Sequence, residues 1–249
     1  MGLASRTASL VLDALRRATH RVYQLYLKPV ELLNEVREAP DAAPPIILVS
    51  ATFAIHTLVA CSLLKGVYMR DPSSGETVEL LYNLYANFPT FVLLRAASLV
   101  SIWFMLFIAY WFMMYLLGSR VEGFTVFSAT GYMLSCQILT FTVILAVYSL
   151  AAFWTPPVIL VAIRGAYPHL SSLAAFRYRL ELISSQLNIP VEVLIEGFEY
   201  FGSAWSFLFT ILMFRIVGDL TWKKALGGGA AASGAAWLIA SIFRVAGLM

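Results

Sequence analysis

Residues 96–119 read AASLVSIWFMLFIAYWFMMYLLGS, 24 residues without a charge, and after Arg120-Val121-Glu122-Gly123 a second uncharged run begins with FTVFSATGYMLSCQILTFTVILAV at Phe124. At about 1.5 Å of rise per residue, the first run reaches about 36 Å as a helix, enough to cross a hydrocarbon core of about 30 Å. Two such runs joined by so short a polar link must lie side by side and antiparallel. The stretch therefore predicts a helical hairpin in a membrane, with the other spans gathered around it.

The bulk numbers agree. Of 249 residues 60% are hydrophobic and 12% charged, with mean hydropathy +0.80. A soluble domain carries about 25% charged residues, so the composition predicts an all-α, polytopic bundle whose first partner is the lipid bilayer. A net charge of +3 spread over several segments argues against a nucleic-acid partner. Cys61 and Cys136 both fall inside apolar runs and read as free thiols acting as small apolar groups. No apolar run in the first 40 residues has the length of a signal-peptide core, so insertion is expected to follow the first true span.

Outward from the hairpin, residues 1–41 are expected to form an amphipathic helical segment. Val11, Leu15, Ala18, Val22 and Leu25 or Tyr26 share one stripe, and the arginines lie mostly elsewhere. Such a helix suits the headgroup layer, or else packing on the protein's own cytoplasmic loops. Pro29 is placed to begin a second short helix, which Pro40 ends. The membrane domain covers 42–246, with spans at about 42–64, 96–118, 125–147, 200–218 and 225–244. Residues 78–85 are expected as a short interfacial helix, 150–163 as a re-entrant or interfacial piece broken by Pro156-Pro157, and 164–199 as a polar loop. Reading 150–163 as part of a complete span gives six spans as the alternative. The balance of Lys and Arg places the N-terminus in the cytoplasm in either scheme, and the chain in the cell membrane.

Three polar residues stand at or near membrane depth. His56 is costly there and suits either interhelical packing or a proton or ligand path. Gln137 is its candidate partner, and Arg215, one turn from a span end, can snorkel. Ala225, Gly229 and Ser233, with Ala230 and Gly234, recur at intervals of four and predict close packing on a neighbouring span, or alternatively a homo-oligomer face. No spacing suits a catalytic group, a metal or a cofactor, and none is expected.

Four passages resemble the Yip family (Ypt/Rab-interacting membrane proteins) in its short prokaryotic form. They are Lys28-Pro29-Val30-Glu31 through Pro40 before the first span; Gly118 and Gly123 around the hairpin turn; Phe127 followed by Gly131-Tyr132; and Trp205 with Lys223-Lys224-Ala225. The likeness covers roughly 28–147 and 196–246. It lacks the Asp-Leu-Tyr-Gly-Pro of eukaryotic members, and 148–196 is longer than the short form requires. The resemblance implies five spans, a cytoplasmic N-terminus and a non-enzymatic role in membrane organisation or adaptation. A protein partner would then dock on the N-terminal segment. A small-solute permease, with His56 and Gln137 lining a path, is the alternative.

Overall fold

Residues 3–65, 67–70, 77–79, 88–154, 158–161, 181, 184–185 and 190–245 are described by the structure, a computed structural model. Helix α1 (Leu3–Leu27) and helix α2 (Pro29–Glu38) are followed by α3 (Ala43–Leu64), α4 (Phe88–Leu116), α5 (Gly123–Ser135), α6 (Ile138–Trp154), α7 (Val191–Ile216) and α8 (Trp222–Val245). Strands β1 (Val67–Arg70), β2 (Thr77–Glu79) and β3 (Val158–Val161) complete the order. Three helical stretches are long and apolar enough to cross a membrane: Val92–Leu116, Gly123–Leu150 and Trp222–Ile242. Ala43–Val59 is a shorter apolar helix.

The chain divides into two compact units. The first holds 1–53, 95–138 and 202–249, and the second holds 54–94 and 139–201.

The first unit is built around α5. Ser128 to Met133 are all buried, and six consecutive residues exceed one full turn, so this helix is covered on every face. The composition allows it. Gly131 admits the Pro45 and Trp103 side chains, and small hydroxyls return to their own helix: Thr130 Oγ1 donates to the Val126 carbonyl at 2.7 Å and Ser135 Oγ to that of Gly131 at 2.9 Å. Trp103 of α4 stacks on Phe127 at 4.5 Å and donates from Nε1 to the Phe127 carbonyl at 3.2 Å. The α4–α5 hairpin expected from the sequence is thus present. Its turn begins at Gly118, whose φ of +93° a side chain would strain. Ser119 N–H closes back to the Met114 carbonyl and Gly118 N–H to that of Tyr115, a glycine-ended helix cap.

At the α7–α8 turn Asp219 takes the left-handed conformation, with φ 50°. Along α8, Ala225, Gly228, Gly229 and Ala232 are buried. A Cβ on Gly229 would meet Ile211 Cγ1 at 2.9 Å, and one on Gly228 would collide with Leu117 Cδ1. Close packing at Gly229 therefore stands. Gly234 differs from expectation, having no neighbour within 4 Å, and Gly228 makes the contact instead. The four-residue period places 225, 229 and 233 in line but misses that the buried face also takes 228 and 232.

The second unit has a core of Val59, Ile144, Tyr148, Val191 and Ile195. Its three strands are ordered β2-β1-β3, with β1 antiparallel to β2 and parallel to β3, Val67 facing Val158 and Arg70 facing Val161. Three expectations change here. Thr77–Glu79 is a strand rather than the start of an interfacial helix, and 80–87 lie outside the described residues. The piece at 150–163 is helix as far as Trp154 and then strand β3. The expected third span, 125–147, lies within the membrane-length stretch Gly123–Leu150, with a two-residue turn at Cys136-Gln137 between α5 and α6. A hydropathy window is blind to such a break because both halves are equally apolar. Of the polar loop expected at 164–199, the C-terminal part from Val191 is already α7.

Gly131 offers a test. A Cβ there would stand 2.7 Å from both Pro45 Cβ and Trp103 Cζ2. We expect Gly131→Ala to lower stability by about 1–3 kcal/mol, the usual cost of overpacking. Gly234→Ala, with open space at its Cβ, should instead raise stability by up to about 1 kcal/mol, read as thermal unfolding in detergent.

Candidate functional site: the seam beneath the N-terminal hairpin

Helices α1 and α2 turn at the single residue Lys28, and Arg21 and Glu35, each seven residues from it, are ion-paired. Gln24 Nε2 also donates to Glu35 at 2.7 Å, and Arg17 reaches Asp41 at 3.3 Å. Matched spacing on both sides of Lys28 means that the two arms run antiparallel. Pro29 occupies the first turn of α2, where its missing N–H costs nothing. Glu31 accepts from Lys28 Nζ at 2.9 Å and holds the ammonium pKa above its ordinary value.

The inner face of this hairpin belongs to the core. Leu25, Leu32 and Leu33 are wholly buried, as is Val36 nearly so, together with Val126, Ala129 and Tyr132 of α5. Its attachments are directional. Tyr26 Oη donates to the Cys136 carbonyl at 2.8 Å, at the break between α5 and α6. There Cys136 N–H bonds to the Met133 carbonyl, a tightened turn that ends α5. Trp205 of α7 stacks with Tyr26 at 6.2 Å and donates from Nε1 to the Leu25 carbonyl at 3.2 Å. Ser128 Oγ donates to the Asp41 carbonyl at 2.8 Å. At the other end of α2, Arg37 pairs with Asp219 at 3.4 Å and donates to the Ile216 carbonyl at 3.2 Å.

Of the residues quoted for the family resemblance, Pro29 and Glu31 open α2, Gly131 and Tyr132 lie in the buried axis of α5, and Trp205 clasps the end of α1, all within one unit. In the first unit Gln137 donates from Nε2 to Ser206 Oγ at 3.2 Å, and in the second the His56 ring lies 4.8 Å from that of Phe141. Arg215 Nη1 donates to the Leu220 carbonyl at 3.0 Å and its guanidinium lies 5.8 Å from the Trp222 ring, so it caps the end of α7. Ser233 Oγ is buried with no hydrogen-bond partner among the described residues.

Sequence reasoning did not single out Tyr26, Arg37, Asp41 or Ser206 as a set. Only Tyr26 carried a signal, as an aromatic on the apolar stripe of α1 with a hydroxyl to satisfy. Compared with family models, with curated proteins and with solved structures, the chain has no significant match.

We expect Tyr26→Phe to destabilise the folded state by about 1 kcal/mol, the worth of one hydrogen bond plus an uncapped carbonyl. Arg37→Ala, which breaks an exposed pair, should cost less than about 1 kcal/mol. Unfolding of the two variants in one detergent measures both.

Proposed function

We propose that the chain is a non-enzymatic protein of the cell membrane resembling the Yip family, with five spans and its N-terminus in the cytoplasm. Its α1–α2 hairpin serves as the docking surface for a protein partner, so that the chain acts as an adaptor or organiser of membrane. One observation carries this reading. The hairpin is fixed on its inner face by buried leucines and by Tyr26, Trp205 and Arg37, while Arg16, Arg17, Glu31, Asn34 and Glu38 remain exposed on its outer face. A rigid element with a mixed-charge outer face is suited to a protein surface, because both signs can be matched and ordering costs little on binding. The three long apolar helices, with α3 and α7, supply the five spans of the proposal.

A permease draws support from the break at Cys136-Gln137, since interrupted helices often line substrate paths. The Gln137 amide, however, is already engaged by Ser206. Proteoliposome uptake of small solutes compared between wild type and Gln137→Ala would distinguish the two, and solute flux lost in the variant would favour transport over adaptation.

Deleting residues 1–41 would uncover α5 and confuse docking with folding, so the adaptor test uses surface charge. The double variant Asn34→Lys, Glu38→Lys, at two exposed positions, should keep the wild-type unfolding temperature and lose the partner recovered by cross-linking from native membranes. Identical partners from both proteins would overturn the docking assignment.

A further inference from the structure

Two opposite characters meet along the axis of the first unit. On one flank, α4 and α8 expose Phe104, Ile108, Trp111, Phe112, Tyr115, Leu116, Trp222 and Leu226, an apolar surface continuing up to the interhelical turns. Its upper rim carries the marks of a headgroup plane. Trp111 donates from Nε1 to the Val121 carbonyl at 3.4 Å, and Arg120, Lys223 and Lys224 lie at the same turns, with Lys224 Nζ on the Leu117 carbonyl. On the other flank, the hairpin exposes Arg16, Arg17, Lys28, Glu31, Glu35, Arg37 and Glu38.

Both flanks occupy the same stretch of the axis. Arg37 reaches the Ile216 carbonyl, Trp205 reaches that of Leu25, and Tyr110 packs edge-on against Phe214 at 6.0 Å, so α2 runs alongside α7 and Asn34, one turn before Arg37, stands roughly level with Ile108. A charged face cannot meet hydrocarbon at a depth where an aromatic face does. The chain itself shows where the apolar region starts beneath the hairpin. Span α3 begins just after Asp41, and Pro45 touches Gly131, while Trp111 marks the rim opposite at Val121 to Gly123. From Gly123 to Gly131 along α5 is eight residues, or about 12 Å.

We infer that the hydrocarbon surface crosses this unit obliquely, lying about 12 Å deeper under the α1–α2 hairpin than along α4 and α8. Acyl chains cover the α4–α8 flank, and headgroups and water cover the outer face of the hairpin. The exposed apolar residues of the hairpin fit this placement. Leu12, Leu15, Tyr23 and Leu27 of α1, with Val30, form a second stripe beside the buried one, which meets the headgroup boundary. The bilayer is therefore held at two heights on two sides of one unit, and the hairpin fills the step. This inference rests on the membrane reading but not on the adaptor proposal.

Spin labels at single cysteines, in a Cys61→Ala, Cys136→Ala background reconstituted in liposomes, test it. A label at Ile108→Cys, on the hydrocarbon side of Trp111, should collide with oxygen dissolved in the acyl region, and one at Asn34→Cys with a water-soluble nickel chelate. Equal depth for the two, both within the hydrocarbon, would overturn the oblique boundary while leaving the membrane reading intact. Water exposure of both would overturn the membrane reading of this flank as well. Leu226→Cys and Arg16→Cys form a second pair with the same expected contrast, so that misfolding of one variant does not leave the outcome open.

Discussion

A carbonyl released from a helix inside an apolar bundle has no water to turn to, and at Cys136 the donor that meets it is the phenol of Tyr26. That single contact sets much of the architecture. The break lies at the junction of α5 and α6, and its donor lies at the end of α1, 110 residues earlier in the chain. The N-terminal hairpin therefore cannot be a loose tail on a finished membrane domain, because leaving would strip a polar group of its partner and expose four buried aliphatic side chains. Trp205 reinforces the arrangement from the opposite side by capping the Leu25 carbonyl.

Closing the hairpin over α5 also explains why α5 is made as it is. A helix buried on every face cannot carry large side chains all round at normal helix spacing, and it cannot leave hydroxyls unpaired. Gly131 admits Pro45 and Trp103, and Thr130 and Ser135 satisfy themselves against the helix backbone. The neighbouring α6, Ile138–Trp154, does without such devices at most positions, with Leu139 and Leu150 exposed. Two segments of similar hydropathy thus differ in burial, α5 enclosed over Ser128 to Met133 and α6 buried at Thr140, Ile144 and Tyr148 but exposed at Leu139 and Leu150.

The hairpin at 96–147 was legible from charge alone, because uncharged length is what a bilayer demands and a short charged turn fixes the pairing. The amphipathic stripe of α1 was legible in the same way at Ala18, Val22 and Leu25, although Leu15 is exposed. Illegible were the features that arise only when distant segments meet. Tyr26 finding Cys136, and Arg37 finding Asp219, leave no local trace. The strand at Val158–Val161 could not be foreseen for a related reason: its partner, Val67–Arg70, is about ninety residues away and equally short. Gly234 has no neighbour within 4 Å in its own chain, because a period of four records which residues are small, not which face a neighbouring helix covers.

Magnitudes settle how Gln137 is to be understood. A buried amide without a partner costs a few kcal/mol, so a glutamine within an apolar span must be bonded somewhere. Interhelical polar bonds in membranes contribute only about 0.6 kcal/mol on average, so such a bond does little more than cancel the cost of the group that makes it. What Gln137 and Ser206 add is position rather than strength. Ser206 Oγ also donates to the Gly202 carbonyl, and Thr210 Oγ1 to the Ser206 carbonyl, so the pair locks α7 in register one residue past the break that Tyr26 closes. A polar residue at depth here reads as a register mark for the helix that carries Trp205, and Trp205 in turn holds the hairpin.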